Sequence, residues 1–397
     1  MFFHVSQSHQ DNFPHNFQVD NFVVSMDNGW TRYADGIWFK GYLDSGLLLD
    51  HIDDICQELE PSRTGNFCVI NCTEDGVRIH SDRLRSFPLF YSPTLGLSNL
   101  HKFDETIWTD CLVRLNPDLS LGREYFDPIG SIDSSPLTLE EVVEQVDLIL
   151  DRKAQTFLSQ LSDPIRVYLS GGMDTALLFS YIQKHAEYKL VLNNHVDYDY
   201  FYLKNHGKIG QFWGYHQIHH WNEPCVLASG APGDEFTLRS PVTSNMLLLH
   251  HGTSIPKLLE ENTNCLHYTY FNQQKYLDAW HKQQDEYTHV GLADTIKVCA
   301  NYNVNDWQHW HFGNTITWTP LRDIEIFKLV ARLQPNDLVK QIMDSALHKQ
   351  LIAKNNPDIM GYLSEQKNST TYLENLTALT PLDNSQLDMR SWRDLFL

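Results

Sequence analysis

The segment Val167-Tyr-Leu-Ser-Gly-Gly-Met-Asp-Thr-Ala-Leu-Leu178 constrains the fold more than any other part of the chain. Arg166-Val-Tyr-Leu169 reads as a short β-strand, Ser170-Gly171-Gly172 as a tight turn, and Ala176 to Lys184 as a helix starting at about Asp174 or Thr175. The alternation continues downstream. Lys189-Leu-Val-Leu192 predicts a second strand, Tyr202 to Tyr215 a helix, Gln217-Ile218 a third strand and Cys225-Val-Leu-Ala228 a fourth. Strands alternating with helices predict an α/β fold, a parallel sheet with helices on both faces. Just upstream, Thr138 and Glu141 form a capping box. Val142, Val146, Ile149, Leu150, Phe157 and Leu161 follow it at helical spacing. From about Pro241 onward the chain reads as mostly helical, including Ile324 to Leu333, which Pro335 stops.

The first third reads differently. Up to about Leu121 it is strand-like and rich in turns. Phe67-Cys-Val-Ile70 and Gly76-Val-Arg-Ile-His80 bracket the turn Thr73-Glu-Asp-Gly76 and predict a hairpin. Phe87-Pro-Leu-Phe-Tyr91 is a further short strand whose proline suits an edge or a first position. Phe126-Asp-Pro-Ile-Gly-Ser-Ile-Asp-Ser-Ser-Pro136 reads as a linker. The predicted organisation is an α+β, β-rich unit over residues 1–125 and an α/β unit over residues 137–397.

A glycine turn between a strand and a helix is either a bland core connection or an anion cradle. Its consecutive N–H groups point into one concavity, and the helix N-terminus adds partial positive charge. Such a turn suits a pyrophosphate, with Asp174 able to hold Mg2+ against the same phosphates and Ser170 and Thr175 able to donate hydrogen bonds. No Gly-Lys-Ser/Thr follows, so the loop is not a Walker A, and the G-x-G-x-x-G spacing of a dinucleotide site is absent.

Composition narrows the partners. The 397 residues carry 30 Lys and Arg against 50 Asp and Glu, a net charge of −20, which disfavours nucleic acid and anionic membranes. The longest apolar runs, such as Gly46-Leu-Leu-Leu-Asp50 and Met246-Leu-Leu-Leu-His250, are too short to span a bilayer. The first residues lack the basic and apolar regions of a secretory signal. Seven scattered cysteines without a CxxC pair read as reduced thiols. A soluble, cytoplasmic protein is expected, with the Asn-x-Ser/Thr triplets at Asn71, Asn368 and Asn375 as chance matches.

Ser170-Gly-Gly-Met-Asp-Thr175 after a strand resembles the pyrophosphate loop of the ATP pyrophosphatase superfamily, and specifically its asparagine synthetase and β-lactam synthetase branch. Val226-Leu-Ala-Ser-Gly-Ala-Pro-Gly-Asp-Glu235 resembles that branch's second marker, Ser-Gly-Glu-Gly-x-Asp-Glu. Pro320-Leu-Arg-Asp323 resembles a third marker, and Glu365-Gln-Lys367 stands where a phosphate-contacting lysine is expected. In the N-terminal region Gly65-Asn-Phe67, Asp82-Arg-Leu-Arg-Ser-Phe-Pro-Leu-Phe-Tyr91 and Leu115-Asn-Pro117 resemble the family's type 2 glutamine amidotransferase domain.

The resemblance implies an AMP-forming carbon–nitrogen ligase using ATP and Mg2+. Leu169, Ser170, Gly171, Gly172, Asp174, Thr175, Ser229 and Gly230 would bind the nucleotide, Asp174 and Asp234 would bind Mg2+, and Asp174 and Lys367 would be catalytic. The partners would be a small-molecule carboxylate and an amine or ammonia; the oligomeric state stays open, a homodimer included. Three departures qualify the activity. Phe2 stands where a type 2 glutaminase needs cysteine, and Phe39-Lys-Gly-Tyr-Leu-Asp44 replaces the glutamine-holding Asn-Gly-Glu segment, so glutamine hydrolysis is expected to be absent. Cys68 and Cys72 are not expected to substitute. Ala231 and Pro232 occupy the position of the family's Glu or Tyr base, leaving Glu235, Asp323, Glu325 or a nearby His as replacements. Ser170 and Ser229 are also closer together than in a full asparagine synthetase, which implies a changed acceptor. The alternatives are a ring-closing or amide-ligating enzyme of a small-molecule or peptide pathway, and a catalytically dead nucleotide-binding relative. A tRNA-modifying enzyme is disfavoured by the charge.

The remaining clusters have plainer readings. His206, His216, His219 and His220 lack a partner spaced to complete a tetrahedral zinc site. Tyr198, Tyr200, Phe201, Tyr202, Trp307, Trp310, Phe312 and Trp318 read as packing residues. Asp147, Asp151 and Glu140 to Glu144 read as one solvated helix face.

Overall fold

The structure, a computed structural model, describes residues 3–10, 13–59, 61–87, 89–98, 105–107, 111–127, 130–168, 173–191, 225–230, 233–239 and 315–359. Its first unit contains strands β1 (Phe3–Ser6), β2 (His15–Val19), β3 (Phe22–Met26), β4 (Thr31–Ala34) and β5 (Ile37–Leu43), then helix α1 (Ile52–Gln57). Strands β6 (Gly65–Thr73), β7 (Gly76–Ser81), β8 (Leu89–Ser92), β9 (Gly96–Ser98), β10 (Glu105–Ile107), β11 (Cys111–Leu115) and β12 (Leu121–Tyr125) complete it. The second unit contains α2 (Leu139–Leu158), β13 (Ile165–Tyr168), α3 (Met173–His185), β14 (Tyr188–Val191), β15 (Cys225–Ala228), α4 (Gly233–Phe236) and β16 (Thr315–Trp318). It continues with α5 (Ile324–Val330), α6 (Pro335–Asp344) and α7 (Ala346–Asn355). Among the described residues no helix is long and apolar enough to cross a membrane.

The first unit is two antiparallel six-stranded sheets, ordered β10-β8-β9-β1-β3-β2 and β12-β11-β7-β6-β5-β4. Phe3, Val5 and Val24 of one sheet meet Ile70, Val77, Ile79 and Val113 of the other in a shared core. The period-2 alternation of a strand does this directly, sending every second side chain inward. The opposite face of β5 and β6 is closed by α1, with Ile52 and Ile55 packed on Phe67 and Val69. The expected hairpin is β6–β7, paired from Cys68↔Ser81 to Thr73↔Gly76. β8 is not an edge strand, since β9 and β10 flank it.

The second unit is built on a four-stranded sheet ordered β14-β13-β15-β16, parallel throughout. The predicted parallel α/β pattern is therefore present over the described elements. α2 begins at the capping box, with the Thr138 side chain accepting from the Glu141 N–H and the Glu141 carboxylate accepting from the Thr138 N–H. Two expectations are corrected here. The region after Pro241 holds a strand, β16, whose Thr-Ile-Thr-Trp composition is β-branched and aromatic but too short to carry a period. Pro335 does not stop a helix; α5 ends at Val330, and Pro335 opens α6 at the position where its missing N–H costs nothing. The predicted helix at Tyr202 to Tyr215 and strand at Gln217-Ile218 lie outside the described residues.

The two units share a dense contact. Tyr42, Phe157 and Trp318 pack ring on ring, with centroids 4.5 Å and 5.5 Å apart. Asn66 Nδ2 donates to Thr317 O at 3.2 Å, and the Thr319 N–H donates to the Tyr42 hydroxyl at 2.9 Å. Lys153, on α2, is buried between Asp44, at 2.6 Å, and Asp323. Arg322 donates to Leu84 O and Ser86 Oγ and lies 3.6 Å from Asp82. Asp147 is not a simple solvated charge. Its Oδ1 accepts from the Tyr181 hydroxyl at 2.6 Å and Asn355 Nδ2 at 2.9 Å, tying α2 to α3 and α7.

Candidate functional site

The chain leaves β13 toward β14 on one side of the sheet and returns to β15 on the other, so the direction of winding reverses between β13 and β15. Loops leaving the carboxyl ends of two such strands diverge and open a crevice there. The two segments singled out in the sequence, around Asp174 and around Gly230, both lie at this point.

Glycine explains how closely they meet. A Cβ on Gly230 would stand 2.6 Å from Asp174 Cβ and 2.7 Å from the Thr175 nitrogen. A Cβ on Gly233 would stand 2.5 Å from Asp174 Oδ1. Only residues without a side chain allow this approach. The Gly233 N–H donates to Gly230 O at 2.8 Å, and the Thr237 hydroxyl donates to Gly233 O at 2.7 Å, so the Gly230–Gly233 turn is locally closed. Thr175 is buried in the first turn of α3. The Ser229 N–H donates to Trp318 O at 3.0 Å as part of the strand ladder, so that amide is committed to the sheet.

Two residues not anticipated from the sequence complete the crevice. Asp174 Oδ1 receives Arg239 Nη1 at 3.1 Å and His348 Nε2 at 2.8 Å. Arg239 closes the segment that begins at Ser229, and its place a few residues past Asp234 was a local signal. His348 sits on α7, and no local pattern links it to Asp174. It is fully buried, next to Gln341, whose side chain in turn donates to Thr237 O at 2.8 Å and accepts the Leu347 N–H at 2.8 Å. Burial, with the Arg239 charge beside it, pulls the imidazole below its ordinary range and favours its neutral form.

Mg2+ takes oxygen ligands, carboxylates above all. The Asp174 carboxylate offers that chemistry, and Gly233 beside it brings the backbone of Asp234 into the same turn. Among the described side chains at this point Asp174 is the one carboxylate, and its Oδ1 already receives Arg239 and His348. Among the described residues no group of three or more His, Cys, Asp or Glu gathers as a metal centre. Leu169, Ser170, Gly171, Gly172, Ala231, Pro232, Lys367 and the four clustered histidines lie outside the described residues, as do the Asp234 and Glu235 side chains.

The replacement bases separate on geometry. Asp323 is buried, caps α5 by accepting from Glu325 N at 2.6 Å and Ile326 N at 3.0 Å, and pairs with Lys153. Burial pushes this carboxyl up, but Lys153 and the two amides outweigh it and hold it below the usual carboxylate range. It is a structural ion, not a base. Glu325 is exposed and pairs with Lys328 at 3.3 Å. In the first unit, burial raises the Cys68 thiol far above its ordinary range, the Cys72 thiol to about 12 and the half-buried Cys56 thiol to about 11. None of these three is poised as a nucleophile, since reactive cysteines sit in electropositive, accessible surroundings.

No protein-family model and no curated protein matches the sequence of this chain.

Proposed function

We propose that this chain is an ATP-dependent, AMP-forming carbon–nitrogen ligase of the asparagine synthetase and β-lactam synthetase type, with a first unit that serves as a scaffold resembling a type 2 amidotransferase. The observation that carries this reading is the contact of the Gly230–Gly233 turn with Asp174 and Thr175 at the point where the sheet reverses its winding. In such a ligase those two segments would share one nucleotide.

In this reading a substrate carboxylate oxygen attacks the α-phosphorus of ATP, and the bond from that phosphorus to the bridging oxygen breaks, releasing pyrophosphate. An amine then attacks the acyl carbon, the carbon–oxygen bond to AMP breaks, and the nitrogen gives up a proton. Ser170, Gly171 and Gly172 would meet the pyrophosphate together with the N-terminus of α3, which has Thr175 in its first turn. Asp174 and Asp234 would hold Mg2+, which would supply neutralisation of phosphate charge. Arg239 and His348 fix the Asp174 carboxylate in place, and Lys367 offsets the charge that develops as pyrophosphate leaves. The raised thiols of Cys56, Cys68 and Cys72 supply no ammonia from glutamine, which favours an amine carried by the substrate itself, as in ring closure.

The test is nucleotide product analysis with ATP, Mg2+ and a panel of carboxylates, aspartate with ammonium first. AMP and pyrophosphate are expected with one acid, and Asp174→Asn should reduce the rate by more than about a hundredfold. AMP formation that depends on ammonium marks an external amine; independence of ammonium marks ring closure. ATP bound without AMP across the panel, no ATP binding, or full activity in Asp174→Asn overturns the reading.

A further inference from the structure

We propose that the outer face of the second antiparallel sheet, across β7, β11 and β12, holds a small doubly charged oxyanion between Arg78 and Arg114. This site lies in the first unit and does not depend on the ligase reading.

Strand register sets it up. Arg78 of β7 stands opposite Arg114 of β11, and Arg114 stands opposite Gly122 of β12, so the three form one row across the sheet. Their neighbours Val77, Ile79, Val113 and Leu115 point to the core between the two sheets, which leaves the row on the other face. A cavity of about 200 Å3 opens there, lined by Arg78, His80, Leu112, Arg114, Gly122 and Glu124 among others. Gly122 keeps the cavity open. A Cβ at that position would meet Arg114 O at 3.6 Å and Arg114 Cβ at 3.8 Å, ordinary contacts, so neither crowding nor backbone strain demands glycine.

The polar lining is unsatisfied. The Arg78 side chain makes no hydrogen bond or ion pair among the described residues. Arg114 uses its Nε on Asn116 Oδ1 at 3.1 Å. His80 is 3% exposed, and its Nε2 is buried without a hydrogen-bond partner. Leaving such a nitrogen unpaired costs about 1–3 kcal/mol, a penalty that a bound acceptor removes. Burial, reinforced by the Arg78 charge, lowers His80 to about 4, so it meets a ligand as a neutral ring with one N–H to give. Glu124, at the exposed end, is the one acidic residue in the lining, against Arg78 and Arg114. A pocket with excess positive charge in a chain of net charge −20 selects for a dianion. The volume falls below the roughly 300–1,000 Å3 of drug-sized sites, which limits the ligand to a phosphate or a short dicarboxylate.

The experiment is calorimetric titration of the full chain with inorganic phosphate and, separately, malonate at low ionic strength. One of the two should bind with a dissociation constant between about 10 μM and 1 mM. Arg78→Gln should weaken that binding at least tenfold, and Gly122→Val, which fills the cavity, should abolish it. Asp174→Asn, in the other unit, should leave it unchanged. Phosphate preferred over malonate identifies a phosphoryl ligand, and the reverse a dicarboxylate. No heat for either anion up to about 10 mM overturns the proposal. Binding that survives in Arg78→Gln overturns it too, and that variant decides alone if Gly122→Val does not fold.

Discussion

Lys153→Met tests the contact that joins the two units. The ammonium of Lys153 is 4% exposed, and its partners Asp44 and Asp323 are 7% and 3% exposed. Methionine keeps the aliphatic stem but removes the only charge that balances both carboxylates in this pocket among the described residues. Breaking a buried ion pair by deleting one partner costs about 3–5 kcal/mol, because the remaining charge is left in a poorly solvated place. With a urea m-value of about 3 kcal/mol/M, the unfolding midpoint should fall by roughly 1–1.7 M at neutral pH. The pH dependence identifies the cause. In the native chain Asp323 is held below the usual carboxylate range, so its pairing stabilises the fold above the unfolded value of about 3.9 and is lost as pH falls through the native value. In Lys153→Met burial acts on Asp323 unopposed by that cation and pushes it upward. The penalty should therefore be largest at neutral pH and shrink as pH approaches about 4, where a protonated carboxyl is accommodated. Urea titrations of both proteins at pH 7.5 and pH 4.5 measure this directly. Adding Asp44→Asn and Asp323→Asn to Lys153→Met should recover part of the loss. A penalty below about 1 kcal/mol at pH 7.5, or one that does not change with pH, would refute the reasoning.

Two further outcomes are expected. Gly233→Ala places a methyl 2.5 Å from Asp174 Oδ1, so ATP affinity by calorimetry should fall at least about tenfold, worth roughly 1.4 kcal/mol; unchanged affinity would separate this turn from the nucleotide. A thiol reagent at pH 8 should leave Cys68 and Cys72 unmodified in the native protein, since both are buried and titrate far above that pH; peptide mapping that finds either labelled within minutes would contradict their burial.

Features that depend on neighbours in sequence were legible. The Thr138–Glu141 capping box, the 73–76 turn, and the strands at 165–168 and 225–228 all follow from residues within one or two turns of each other. The glycines at 230 and 233 were legible as a motif, and their contact with Asp174 gives that motif a steric reason. What the sequence hid are partners chosen by packing. His348 reaches Asp174 across 174 positions, and Lys153 reaches Asp44 across 109. Asp147 carried the spacing of a solvated face, yet α7 brings Asn355 and Lys354 to it. β16 was missed because four residues are too few to separate a period of 2 from a helical one.

Among the described residues β16 is the last strand on its side of the parallel sheet. β16 pairs with β15 on one side, and on the other its backbone meets Asn66 and Tyr42 of the first unit. A bare strand margin is a template for pairing with other chains, the usual origin of domain swapping and fibrous association. The first unit thus acts as a lateral stop, ending the sheet with side chains that take up main-chain groups without offering a new row of their own. Without the first unit, the outward main-chain groups of Thr317 and Thr319 would lose both partners and stand as an open margin.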